Sequence, residues 1–188
     1  MKSTDYCIYL QATAISNGIK IVIIYHPRND IYHCMFRFMT IARLLELEHF
    51  EFGRLRIYDF LFLFPDYIDS IEFPRAKGIG SLKTTAKTIS HTYERLPDGK
   101  RLFSEMGDYH IQALQILEAK GIFIEKNGII SVTSKLSSDS LSNIFEGNQY
   151  IDNEFYKKLI VTLNAVNFFG DSGLKRRTGL MEYRYDAV

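Results

Sequence analysis

Residues 109–132 constrain the fold more than any other stretch of the chain. Over Tyr109–Lys120 the apolar residues Ile111, Leu114 and Leu117 recur at helical spacing, with Ala113 and Ile116 beside them. Gly121 follows where a helix commonly ends on a left-handed residue. Two apolar runs, Ile122–Glu125 and Ile129–Val132, then flank Lys126-Asn127-Gly128. Asn-Gly between such runs is a strong short-range hairpin signal, because both central residues of the favoured turn need positive φ. A helix followed by a hairpin is the second half of a winged-helix unit.

The N-terminal part reads as a strand and then two helices. Ile19–Tyr25 is β-branched and is stopped by His26-Pro27, and Asn17-Gly18 marks a turn before it. Asn29-Asp30 offers a helix cap. Behind it Ile31, Met35, Phe38, Ala42 and Leu45 form an apolar stripe widened by Cys34, Ile41 and Leu44. A second helix runs from about Phe52-Gly53 to the residue before Pro65, and beyond Asp59 it is apolar nearly all round. Such a helix belongs in the middle of a domain or under a partner, which makes Tyr58, Phe60, Phe62 and Phe64 the candidate interface. Asp59 is either a catalytic carboxylate or half of an ion pair. Arg56, three residues back, is the expected partner.

These readings predict an α+β fold, mainly helical, with a winged-helix-like lobe beside a helix-rich N-terminal lobe that could hold a second such unit. The expected divisions are a strand and helical lobe at 1–70, a connector at 71–91, a winged-helix-like lobe at 92–136, and a C-terminal helix and basic tail at 137–188. Pro74, Gly78 and Gly80 are expected to break any helix in the connector, with room for a strand or short helix only at its end. Asp152 is a candidate cap for the last helix, which carries Phe155, Leu159, Leu163 and Val166 on one face and is expected to end at Gly170.

Composition narrows the chemistry. Lys plus Arg number 23 against 22 for Asp plus Glu among 188 residues. That balance excludes binding to polyanions through bulk charge, so any nucleic-acid contact must be a local patch. Two cysteines, Cys7 and Cys34, make no disulfide framework or C-x-x-C pair and point to a reducing, cytoplasmic setting. The apolar windows fall short of the roughly 20 residues a membrane helix needs. The histidines His26, His33, His49, His91 and His110 show no metal-ligand spacing, and Glu46, Glu48 and Glu51 around His49 read as a solvated acidic face. Gly78–Thr84 lacks the glycine that a phosphate loop places before its lysine. No nucleophile elbow is present. The reading is a non-enzyme without metal or cofactor.

A DNA-reading helix shows Arg, Lys, Asn or Gln outward. The outward residues of the 109–120 helix and its N-terminal flank are Asp108, Gln112, Gln115, Glu118 and Lys120, which is close to neutral. The cationic candidates for DNA are Lys126 at the hairpin tip and Lys175, Arg176 and Arg177 in the tail, with Lys157 and Lys158 nearby. A short basic run is equally a solubilising tail.

Two motifs carry a family resemblance. One is Phe36-Arg37 leading to the run from Arg54 to Pro65. The other joins Tyr93–Asp98, Arg101-Leu102-Phe103 and Gln112–Gly121. In that order they resemble the small middle component of bacterial ABC-three-component systems, similar to the Lamassu class of anti-phage defence, over about residues 19–135. The resemblance implies a non-catalytic subunit. It would bridge or regulate a coiled-coil ABC ATPase of the SMC or Rad50 kind and an effector such as a nuclease, in anti-phage or anti-plasmid immunity. It carries over no catalytic residue. The alternative is a free-standing winged-helix transcriptional regulator that binds DNA. The exposed face of the 109–120 helix separates the two.

Overall fold

In the computed structural model, residues 10–16, 19–73, 79–89 and 98–182 are described. The turn expected at Asn17-Gly18, the connector residues Pro74 and Gly78, His91 and Tyr93–Pro97 lie outside them, as does Cys7. Helix α1, Ile31–Leu45, begins where Asp30 caps it: the carboxylate accepts from the His33 amide at 2.8 Å. Its stripe is buried as expected, from Cys34 and Met35 to Ala42 and Leu45, and Arg37 and Thr40 are buried with it. Ahead of α1, strands β1 (Leu10–Ser16) and β2 (Ile19–Tyr25) pair antiparallel.

A three-residue strand, β3 (His49–Glu51), separates α1 from α2 (Phe52–Leu63). Pro65 stops α2 as its ring requires, and a 3-10 turn, Pro65–Ser70, follows. Then come α3 (Ile79–Ile89), α4 (Gly99–Glu105) and α5 (Gly107–Ala119). Gly80 does not break α3. It is the second residue of that helix, where the first amides lack helical acceptors in any case. After α5, Gly121 takes φ +67° and the chain enters β4 (Phe123–Lys126) and β5 (Ile129–Val132). Asn127 and Gly128, at φ +53° and +81°, form the tight turn between them.

The sheet order is β3-β5-β4, all antiparallel. Phe50 lies opposite Ile130, and Phe123 opposite Val132. Phe50, Ile130 and Phe123 are buried, while Ile124 and Ile129 lie on the exposed side. Segments 49–51 and 123–132 thus share one sheet, and buried residues from α1, α2, α3, α5 and α7 share one hydrophobic cluster. The fold is α+β and mainly helical, as the sequence predicts.

Toward the C-terminus, α6 (Asp139–Ser142) is one turn of helix in a stretch with no apolar periodicity. Helix α7 (Glu154–Asn164) is capped by Asn153, whose side chain accepts from the Phe155 amide at 2.9 Å, so the cap is one residue later than Asp152. It ends at Asn164 rather than near Gly170, which instead supplies a φ of +91° in the following loop. Arg54 of α2 reaches these last turns, donating to the carbonyls of Leu163 at 3.3 Å and Val166 at 3.1 Å. A side-chain donor is there satisfying carbonyls that a helix end leaves open. Helix α8 (Leu174–Thr178) closes on Gly179 at φ +63°.

Candidate functional site

Three polar side chains meet in the core, one from each of three helices. Arg37 of α1, Asp59 of α2 and His110 of α5 are all 1% exposed or less. Arg37 grips the carboxylate with both ends of its guanidinium fork, Nε to Oδ1 at 2.6 Å and Nη2 to Oδ2 at 3.1 Å. Its Nη1 donates to the Pro27 carbonyl at 3.2 Å. Asp59 is therefore paired, but with Arg37 and not with Arg56. The i,i+3 geometry points Arg56 elsewhere: its Nε donates to His110 Nδ1 at 3.2 Å, and its guanidinium lies 4.7 Å from the Phe103 ring centre.

That donor fixes the histidine. Nδ1 accepts from Arg56, so the ring hydrogen sits on Nε2 and is given to Asp59 Oδ2 at 3.0 Å. Burial opposes charge on Asp59, yet the Arg37 cation and the His110 hydrogen bond outweigh it and hold the carboxyl below its usual range. Burial lowers the His110 pKa, against the pull of Asp59, so the imidazole is neutral. Burial likewise opposes charge on Arg37, but Asp59 overrides it and keeps the guanidinium charged. Phe38 stacks on the imidazole at 5.6 Å.

Cys34 stands beside this group. Its sulfur, a carboxylate oxygen of Asp59 and a nitrogen of His110 lie within 4.8 Å of one another, a spacing that would suit a metal ion. The chemistry does not suit one. Both oxygens of Asp59 are covered by donors, both nitrogens of His110 are in use, and burial pushes the Cys34 thiol up so that it keeps its proton. A cation would meet hydrogens and a guanidinium where it needs lone pairs. What the arrangement does is fasten α1, α2 and α5 in one register.

The proposed surface residues fall in different places. Tyr58, Phe60 and Phe62 are 0–2% exposed. Phe60 packs on Phe103 and Tyr67, and Phe62 on Tyr156 and Tyr150, with ring centres 4.7–5.8 Å apart. Burial pushes the Tyr58 phenol up to about 12. These three rings offer no surface in this conformation. Phe64 is half-buried and stacks on His26. The acids near His49 do not converge: Glu51 pairs with Arg54 at 2.7 Å, Glu46 ends α1 in the left-handed region, and His49 itself bonds Ser131. On α5, Asp108, Ile111, Gln112 and Gln115 are exposed, and Ile111 is not part of the buried stripe. His110 takes that inner place because Asp59 needs it. Lys126 sits at the hairpin tip, whereas Lys175, Arg176 and Arg177 form α8, far along the chain.

The family described as ABC-three component (ABC-3C) system Middle Component 5 matches residues 23–186. The chain belongs to that family. No curated protein and no solved structure matches it. As a middle component it is one part of a multi-subunit system, which implies protein partners. The match extends past residue 135 and takes in α7 and α8, where the sequence motifs are silent. Among the described residues, no helix is long and apolar enough to cross a membrane.

Proposed function

We propose that this middle component is a non-catalytic assembly subunit that joins a coiled-coil ABC ATPase of the SMC or Rad50 kind to an effector, such as a nuclease, in a cytoplasmic Lamassu-type defence complex. The observation that carries the reading is the use made of the reactive side chains. Arg37, Asp59, His110 and Cys34 are buried, and the first three spend their hydrogen bonds on holding helices together. Family membership supports the multi-subunit setting. Co-expression of the tagged chain with a coiled-coil ABC ATPase of the proposed kind, taken from the same genome, tests the reading. A stoichiometric complex is expected, and the isolated chain should hydrolyse neither ATP nor DNA.

The element order supports a winged-helix unit. Helix α1 leads to strand β3, α2 follows, and α5 precedes the β4–β5 hairpin, with β3 pairing to β5. Residues between α2 and α5 would be an insertion carrying α3 and α4. This arrangement also favours the second reading, a DNA-binding transcriptional regulator. The exposed face of α5 weighs against it: Asp108, Ile111, Gln112 and Gln115 carry no positive charge, which leaves Lys120 at the C-terminal end of the helix to meet a phosphate backbone.

A further inference from the structure

Helices α3, α7 and α8 carry seven Lys and Arg residues, and Glu154 is their one carboxylate. Lys83 of α3 donates to the carbonyls of Asp69 at 2.8 Å and Ile71 at 3.1 Å. Arg177 of α8 donates to the next carbonyl along, that of Glu72. Lys87, one turn after Lys83, pairs with the Asp69 carboxylate at 3.3 Å. Lys158 of α7 reaches the Ser81 hydroxyl on α3. Arg176 pairs with Asp171 at 3.1 Å, and Lys175 lies over the Phe168 and Phe169 rings at 5.9 and 5.6 Å. Segment 69–73 thus joins Lys83 and Lys87 of α3 to Arg177 of α8, and Lys175 and Arg176 precede Arg177 on the same short helix.

Lys83, Lys158 and Arg177 donate to carbonyls or a hydroxyl, which orient a cation without neutralising it. The carboxylates among these contacts, Asp69 and Asp171, are exposed at 54% and 94% of their side chains, so their pairing is weak. The whole chain has a net charge of only +1, so a surplus here is a local concentration. Phe169 stands 49% exposed beneath Lys175. An exposed ring next to ammonium and guanidinium groups is a stacking platform for an unpaired base.

We propose that this patch, Lys83, Lys87, Lys158, Lys175, Arg176 and Arg177 with Phe169, binds single-stranded nucleic acid through its phosphates and one stacked base. It lies on elements other than α5 and the β4–β5 hairpin, so it is a different surface from the one a transcriptional regulator of this topology would use.

The test is fluorescence anisotropy of labelled oligo(dT) and oligo(U), each about 30 nucleotides long, with the full-length protein over a salt series. Binding of both is expected, with a log–log salt slope of about −4 if all six cations engage phosphates. The triple variant Lys158→Glu, Lys175→Glu, Arg176→Glu should bind at least about tenfold more weakly and with roughly half that slope. Phe169→Ala should weaken binding severalfold at unchanged slope, while Lys126→Glu at the hairpin tip should change nothing. Should the triple variant melt below the parent, the glutamine versions of the same positions replace it. Parent-like binding by the folded triple variant overturns the proposal. So does loss of binding in Lys126→Glu, absence of oligonucleotide binding at low salt, or capture by phosphatidylserine vesicles without binding to either oligonucleotide.

Discussion

Replacing Asp59 with asparagine keeps the shape of the side chain and removes its charge. The amide can accept through one oxygen only, and its NH2 must face either the Arg37 guanidinium or the His110 Nε2–H, both donors. The imidazole cannot relieve the clash by moving its hydrogen, because Nδ1 already accepts from Arg56. Arg37, 1% exposed, is left as a buried cation without a counter-charge. Breaking a buried pair from one side costs about 3–5 kcal/mol, a large part of a domain's total of roughly 5–15 kcal/mol. The reciprocal experiment removes the network entirely with Arg37→Met, Asp59→Leu and His110→Phe together. The buried Arg37–Asp59 pair is then gone from both sides, half-buried Arg56 loses only its His110 acceptor, and the triple variant should lie within about 2 kcal/mol of the parent. Urea unfolding followed by circular dichroism reads both. A cost below about 1 kcal/mol for Asp59→Asn, or a triple variant worse than the single one, would refute the view that these residues act as one internal clasp.

Stability should also fall with acid in two stages. His110 and His26 titrate below the ordinary 6.5 in the folded chain, so the unfolded state takes up protons first and stability declines as pH drops through that value. Asp59, held below 3.8, adds a further loss as pH falls through its folded value, and His110→Gln should flatten the first stage only in part, since His26 remains. Leu61→Asp or Phe62→Asp should cost several kcal/mol and yield insoluble protein, while Asp139→Ala, on the exposed α6 turn, should leave the thermal melt unchanged. Gly53→Ala would set a Cβ 2.4 Å from Phe168 Cζ; the ring must shift, lowering stability by about 1–3 kcal/mol in the same melt.

Local signals carried most of the helices and the hairpin. The Asn127-Gly128 turn, the Gly121 helix end and the Asp30 cap each depend on neighbours within a few residues, and each is present. Strand β3 was not legible, because three residues have no periodicity and its partner β5 lies about eighty residues away. The clasp was half legible. The sequence leaves Asp59 either a catalytic carboxylate or half of an ion pair and offers Arg56, the nearest arginine, as the partner, whereas Arg37 holds it. The informative signal was the pair of charges inside apolar runs, Arg37 between Phe36 and Phe38 and Asp59 between Tyr58 and Phe60. Two opposite charges that must both be buried are expected to find each other. The same burial removed Tyr58, Phe60 and Phe62 from the surface: an all-round apolar helix fits a domain centre as well as an interface, and here the chain's own rings surround it.

An assembly subunit should reveal itself by its mass in solution beside its proposed partner. The protein, alone and co-expressed with the proposed coiled-coil ATPase partner, is passed over a size-exclusion column with light-scattering detection. The two should elute together at the mass of a stoichiometric complex, with ATP hydrolysis tracking the ATPase alone. Separate elution of the two proteins at equal micromolar concentrations, or ATP hydrolysis by the isolated chain, would contradict that role.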